Sequence, residues 1–182
     1  LGGSLSLLAL ARRPLSGAVK GVAAVSAPLD LAACASALER PVNLPYQVYF
    51  MRALRAAYVR LQRLSPHLYA AGRERGLRTV REYDEAITAP YGGYASADAY
   101  YSASSAGPRL ASLDRSVLLL SAADDPMVPA GSNARFALPA SGRVVREVWP
   151  TGGHVGFVAP TVAPGRFWAA ERALDFAQGC FA

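Results

Sequence analysis

Lysine is almost missing from this chain: of its 19 basic residues only Lys20 is not an arginine. Alanine is abundant at the same time. This bias reads as the composition of a G+C-rich coding sequence rather than a selected polyanion surface, so the formal charge of +6 does not by itself argue for a nucleic-acid partner. The arginines are spread along the sequence, apart from the run Arg73, Arg75, Arg78 and Arg81. Cysteine is scarce too. Cys34 and Cys180 belong to no CxxC or Cys/His spacing, which excludes a disulfide framework and a recognisable metal-ligand cluster. Histidine occurs twice, at His67 and His154. No apolar run reaches the roughly 18 to 20 residues that a membrane span requires. There is no signal-peptide pattern, and the first residue falls inside an element, so location stays open. Repeats, low-complexity tracts and phosphate-cradling glycine loops are absent as well.

What remains is a chain of 182 residues, 52% hydrophobic, long enough to bury one sizeable core. Small and Leu/Ala residues from Ser4 onward, closed by Arg12 and Arg13, predict a largely buried helix ended by Pro14 and Gly17. Val19 to Ser26 is a short apolar run that predicts an interior strand covered on both faces. Residues 29–107 then read as mainly helical, with no strand-like alternation. Asp30 to Arg40 predicts a short helix. Phe50, Leu54, Ala57, Tyr58, Leu61 and Leu64 recur at helical spacing over Pro45 to Leu64, the face expected to pack onto the domain. A cap over substrate, or contact with a membrane surface, is the alternative role for that helix. Thr79 to Ala86 and Ser96 to Ser102 predict two more helices, separated by the turn-rich Pro90 to Tyr94. From 108 the sheet pattern returns. Val117 to Ala122 and Val144 to Trp149 predict strands, with a helix over Ala130 to Leu138 between them and another over Arg166 to Ala177. The order is α/β, with parallel strands and a helical insertion: residues 1–28 are a helix and strand, 29–107 the insertion, and 108–182 the remaining strands and helices.

Parallel sheets carry their functional groups on the loops leaving the carboxyl ends of strands. Asp124-Asp125-Pro126 and Gly152-Gly153-His154-Val155-Gly156-Phe157 follow two successive strands, so both loops should open on one sheet edge. A carboxylate and a histidine meeting there suit a general base held by its acid. Asp125, standing before Pro126-Met127-Val128-Pro129, is the expected acid, and Asp124 the expected loop-capping carboxylate. His67 has no acid at a useful spacing and is read as structural. At the front, Leu1-Gly2-Gly3 running into a helix matches the closing half of a G-x-S-x-G elbow. The nucleophile would then stand immediately before Leu1, whose N–H would be an oxyanion donor.

On these motifs, together with Val25-Ser26-Ala27-Pro28-Leu29-Asp30, Val80-Arg81-Glu82-Tyr83-Asp84 and Tyr100-Tyr101-Ser102-Ala103-Ser104-Ser105, the chain resembles the YheT-like branch of the α/β-hydrolases. It matches the C-terminal half of that fold. The resemblance implies a Ser-Asp-His triad with Asp125 as acid and His154 as base. It also implies hydrolysis of carboxylic esters, including acylglycerol and phospholipid substrates, with neither cofactor nor metal. The serine, the strand before it and the first half of the sheet are outside the sequence, so these 182 residues alone are expected to be inactive. Phe50, Tyr58 and Tyr100 could line an acyl pocket, though packing is the expected role. Two other readings stay open. An Asp nucleophile would make a dehalogenase or epoxide hydrolase, and a chain without a nucleophile would be a binding module. The residue before Leu1 separates them.

Overall fold

The computed structural model describes residues 2–12, 16–157 and 167–181. Three strands form one parallel sheet in the order β1 (Gly21–Val25), β2 (Ser116–Ala122), β3 (Val144–Trp149). Gly21 pairs with Ser116 and Val117 with Val144, so the register runs without a slip through Val25–Leu120 and Ala122–Trp149. β2 is central and buried along nearly its whole length because its alternate side chains serve two cores. Val117 and Leu119 point to the core built with Leu7, Leu8 and Leu10 of α1 (Gly2–Arg12). Leu120 and Ala122 point the other way, to Phe157 and to Ala169 of α8 (Trp168–Gly179). Helices on both faces of parallel strands are the α/β arrangement the sequence predicts.

The insertion contains no strand and leaves and re-enters the sheet layer through one gate. Gly107 donates its N–H to the Leu29 carbonyl (2.9 Å), and Leu31 donates to Ser105 Oγ (3.0 Å). Gly107 lies against the Phe136 ring so closely that a Cβ there would stand 2.2 Å from it. Within the insertion, α2 (Leu31–Leu38) is capped by Asp30, which accepts from the Ala33 N–H. A 3-10 turn at Pro41–Asn43 leads into α3 (Leu44–Leu64). Three short helices follow: α4 (Val80–Tyr83), α5 (Ala89–Tyr91) and α6 (Ala97–Ser104).

Three expectations need correction. The buried stripe of α3 is Gln47, Met51 and Tyr58, packed with Tyr83 and Ile87, whereas Leu61 and Leu64 are exposed. Leu64 lines an open groove between the end of α3 and Glu74, Arg75 and Gly76 instead of a packed contact. The helix expected to end at Ala86 continues to Tyr91 through a π turn at Asp84–Thr88, in which Ala89 donates to the Asp84 carbonyl. Pro90 has no N–H to give the Ala86 carbonyl, and Arg73 Nε donates to that oxygen instead (2.6 Å). The helix expected to reach Leu138 is α7 (Ala130–Ala134), cut short as Phe136 turns in against Gly107 and the first core.

Candidate active site

Each strand of the sheet delivers a turn to the same edge. After β1, Ser26 adopts a left-handed conformation (φ 47°) while its N–H extends the ladder to the Leu120 carbonyl (2.8 Å). After β2, the Ala123 N–H still reaches the Trp149 carbonyl (2.7 Å), which holds the exits of β2 and β3 side by side. The next two residues then diverge. Asp124 is exposed and accepts the Gly153 N–H (2.8 Å). The Asp125 side chain is fully buried, and its Oδ1 accepts from the N–H groups of Met127 (2.9 Å) and Val128 (3.0 Å). Those two bonds fix the carboxylate plane and leave Oδ2 facing His154 Nδ1 at 2.9 Å.

The histidine turn is shaped by its own glycines. Gly153 sits at φ +58°, a conformation that favours a residue without Cβ. Gly152 lies under the Phe157 ring, where a Cβ would stand 2.7 Å from two ring carbons. The Phe157 N–H closes the turn onto the Gly152 carbonyl (2.9 Å), and its ring is buried beside Trp168. His154 therefore stands between two anchors, Asp124 on the backbone before it and Phe157 after it. With Oδ2 accepting, the proton of that contact sits on Nδ1, the tautomer in which the imidazole lone pair lies on Nε2. The His154 side chain is 29% exposed, so that lone pair can meet a proton from outside.

The structure thus brings Asp125 and His154 into contact and puts Asp124 on the histidine turn. Leu1, the expected oxyanion donor, lies outside the described residues. His67 lies in the turn after α3 and Tyr58 is buried in the insertion core, bonded to the Ala70 carbonyl, while Phe50 and Tyr100 are half-buried. Among the described residues no group of three His, Cys, Asp or Glu assembles as a metal site.

Two neighbours of the acid escaped the sequence reading. Asn43, 1% exposed, donates from Nδ2 to the carbonyls of Pro126 (2.7 Å) and Ala37 (2.8 Å), tying the insertion to the acid turn. No local pattern marks it, since its partner is 83 residues away. Cys34 of α2 is close enough to feel the charges of Asp30 and Asp125. Burial first, and then those carboxylates, push its thiol up to about 12. Such a thiol stays protonated near neutral pH and is no substitute nucleophile.

A parallel sheet with helices on both faces, an acid and a histidine on consecutive strand exits, and a helical excursion between strands match the C-terminal half of an α/β-hydrolase fold, and by its similarity to known members the chain belongs to that superfamily. Within it the chain falls in the YheT-like branch. It is 31% identical over 180 residues to YheT of Escherichia coli (strain K12), which carries an esterase name; the match covers 97% of this chain and 52% of YheT. It is 28% identical over 159 residues to phospholipase ABHD3 of Mus musculus, covering 87% of this chain and 39% of the relative. A monoacylglycerol lipase of Saccharomyces cerevisiae is 34% identical over 100 residues, covering 55% of this chain and 22% of the lipase. The chain spans about half the length of YheT and less of the other two. No protein-family model and no solved structure matches.

Proposed function

We propose that the protein is a carboxylic-ester hydrolase with a serine nucleophile, in which His154 is the general base and Asp125 the carboxylate that orients it. The observation that carries this reading is the 2.9 Å contact between Asp125 Oδ2 and His154 Nδ1, made by a carboxylate whose other oxygen is already held by two backbone N–H groups. Among the described residues no hydroxyl or thiol hydrogen-bonds to His154, so the nucleophile of this reading is the serine that the elbow pattern implies ahead of Leu1. Its Oγ attacks the ester carbonyl carbon while His154 Nε2 takes its proton. The Leu1 N–H is assigned to the oxyanion. His154 then returns the proton to the departing alkoxide, leaving an acyl-serine. Water attacks that acyl group, giving its proton to Nε2, and the acid product leaves as the serine is re-protonated. Asp125 stays ionised throughout and stabilises the imidazolium. The names of the relatives support acylglycerol or phospholipid esters as the substrate class.

The test uses protein that includes the elbow, a fluorophosphonate probe and a p-nitrophenyl ester. The probe should label one serine, and His154→Ala should abolish both labelling and turnover. A folded protein that resists the probe, or turnover that survives His154→Ala, would sink the reading. Labelling of no serine together with a covalent ester on an aspartate would favour the dehalogenase or epoxide hydrolase alternative.

A further inference from the structure

Between positions 41 and 81 the chain holds eight arginines and one acidic residue, Glu74, while the whole sequence exceeds neutrality by six positive charges. The rest of the chain is therefore near neutral, and the basic excess belongs to α3 and the turns after it. Folding concentrates it further. Tyr49, Arg52, Ala56, Arg60 and Arg63 recur at three- and four-residue spacing, form one stripe, and are all exposed, on the face opposite Gln47, Met51 and Tyr58. Beside the stripe, Arg55, Arg60 and Arg63 face Arg75 across an open groove of about 710 Å³ in which Glu74 is the one acidic wall. Among the described residues Arg52, Arg60, Arg63 and Arg75 make no ion pair. Arg55 donates to the Leu77 carbonyl, yet its Nε is buried without a partner among the described residues.

Apolar side chains stand out from α3 and from the turn that follows it. Tyr49 and Leu64 are each 70% exposed and Leu68 is 60% exposed. A cluster of arginines around projecting leucines and a tyrosine fits a surface that offers phosphates above hydrocarbon. A nucleic acid would satisfy the arginines and leave Leu64 and Leu68 in water. No described helix is long and apolar enough to cross a membrane, so α3 would lie on the bilayer rather than in it. The groove is also remote from the candidate active site. α3 begins beside Asn43 at the acid turn, and Arg60 to Leu64 are some 25 to 30 Å further along it at about 1.5 Å per residue.

We propose that this face docks the protein onto an anionic phospholipid bilayer, with the arginines at the phosphates and Tyr49 and Leu64 at the boundary with the acyl chains. The proposal goes beyond the ester-hydrolase reading and does not depend on it, because its readout is binding and not turnover. The experiment is flotation of the purified protein with phosphatidylcholine vesicles, with and without about one-third phosphatidylglycerol. Binding is expected on the anionic vesicles only, and salt should weaken it as the charges are screened. Each arginine removed should lower the partition coefficient about fivefold, so Arg60→Ala/Arg63→Ala together lower it about 25-fold. Leu64→Ser should weaken binding while leaving the salt dependence unchanged. All three side chains are exposed, so an unaltered circular dichroism spectrum and melting temperature are expected to accompany these losses. Equal binding to pure phosphatidylcholine, absence of binding to the anionic vesicles, or full binding by the double variant would overturn the proposal. So would duplex DNA stripping the protein from vesicles together with a Leu64→Ser variant that binds normally, the pattern of a polyanion site.

Discussion

Replacing Asp125 by asparagine and, separately, by alanine pulls apart the two jobs its oxygens do. In Asp125→Asn the amide oxygen can still accept from Met127 and Val128, whose N–H groups lie 2.9 and 3.0 Å from Oδ1. The amide nitrogen then replaces Oδ2, 2.9 Å from His154 Nδ1, and two donors would face each other. The imidazole escapes by moving its proton to Nε2, and a protonated Nε2 cannot accept the serine proton. The expected loss in kcat is about 10³- to 10⁴-fold, equivalent to about 4–5 kcal/mol of barrier. Stability should change by only about 1 kcal/mol, because the two backbone bonds survive without their charge assistance. Asp125→Ala loses the same activity and leaves the buried Val128 N–H, at about 1–3 kcal/mol, and the part-buried Met127 N–H unpaired, so its melting temperature should fall more. Asp124→Asn keeps an acceptor for the Gly153 N–H on an exposed side chain and should stay within about tenfold of the parent enzyme. The assay is kcat and KM on a p-nitrophenyl ester for protein carrying the elbow, beside calorimetric melting. Two results would refute the reasoning: Asp124→Asn as damaging as Asp125→Asn, or Asp125→Asn retaining more than a tenth of the activity.

Cys34 and Gly152 supply independent checks. With its thiol pushed up to about 12, chiefly by burial, Cys34 holds about a thousandfold less thiolate at pH 8 than an ordinary cysteine, so iodoacetamide should leave its peptide unmodified in native protein and alkylate it after denaturation. Native labelling as fast as denatured labelling would show that the thiol is not shielded. Gly152→Ala drives a Cβ to 2.7 Å from the Phe157 ring and 3.0 Å from the Ala122 Cβ, so a loss of about 1–3 kcal/mol in melting experiments is expected, with a further drop in kcat as the histidine turn shifts. Gly156→Ala, whose Cβ would stand 3.3 Å from the Gly152 carbonyl and within 4 Å of no other neighbour among the described residues, should melt closer to the parent than Gly152→Ala does. An unshifted melting temperature for Gly152→Ala would mean that the turn yields freely.

The sheet was legible in the sequence because β2 is apolar at successive positions, and only a strand covered on both faces tolerates Val117 to Leu120 together. The contact between the two strand exits was legible as well, since parallel strands fix on which edge Asp125 and His154 emerge. What each aspartate touches was less so. Adjacent residues leave a turn in opposite directions, and only the folded backbone shows Asp125 turning inward to Met127 and Val128 while Asp124 reaches across to Gly153. Periodicity also misjudged α3. Its leucines recur at helical spacing, but spacing defines a face without saying whether anything lies opposite it, and Leu61 and Leu64 face outward. The continuation of the helix past Ala86 depended on Arg73, distant in sequence, accepting the task that Pro90 leaves undone.

Asn43 gives the insertion a bearing on the site that its distance in sequence conceals. Both donors of its amide are committed, one to α2 through the Ala37 carbonyl and one to the Pro126 carbonyl directly after the acid. Its buried Oδ1 has no partner among the described residues, a cost that no isolated surface loop needs to carry. The acid turn is consequently fixed from two sides, by its own backbone bonds to Oδ1 and by the insertion pulling on Pro126. The histidine turn is fixed the same way, by Asp124 before it and the buried Phe157 after it. An imidazole that must accept and return a proton without reorienting needs both turns held, because a drift at either end breaks the 2.9 Å contact on which the tautomer rests. On the ester-hydrolase reading proposed above, the insertion is therefore part of what would hold His154 in place to act as a base.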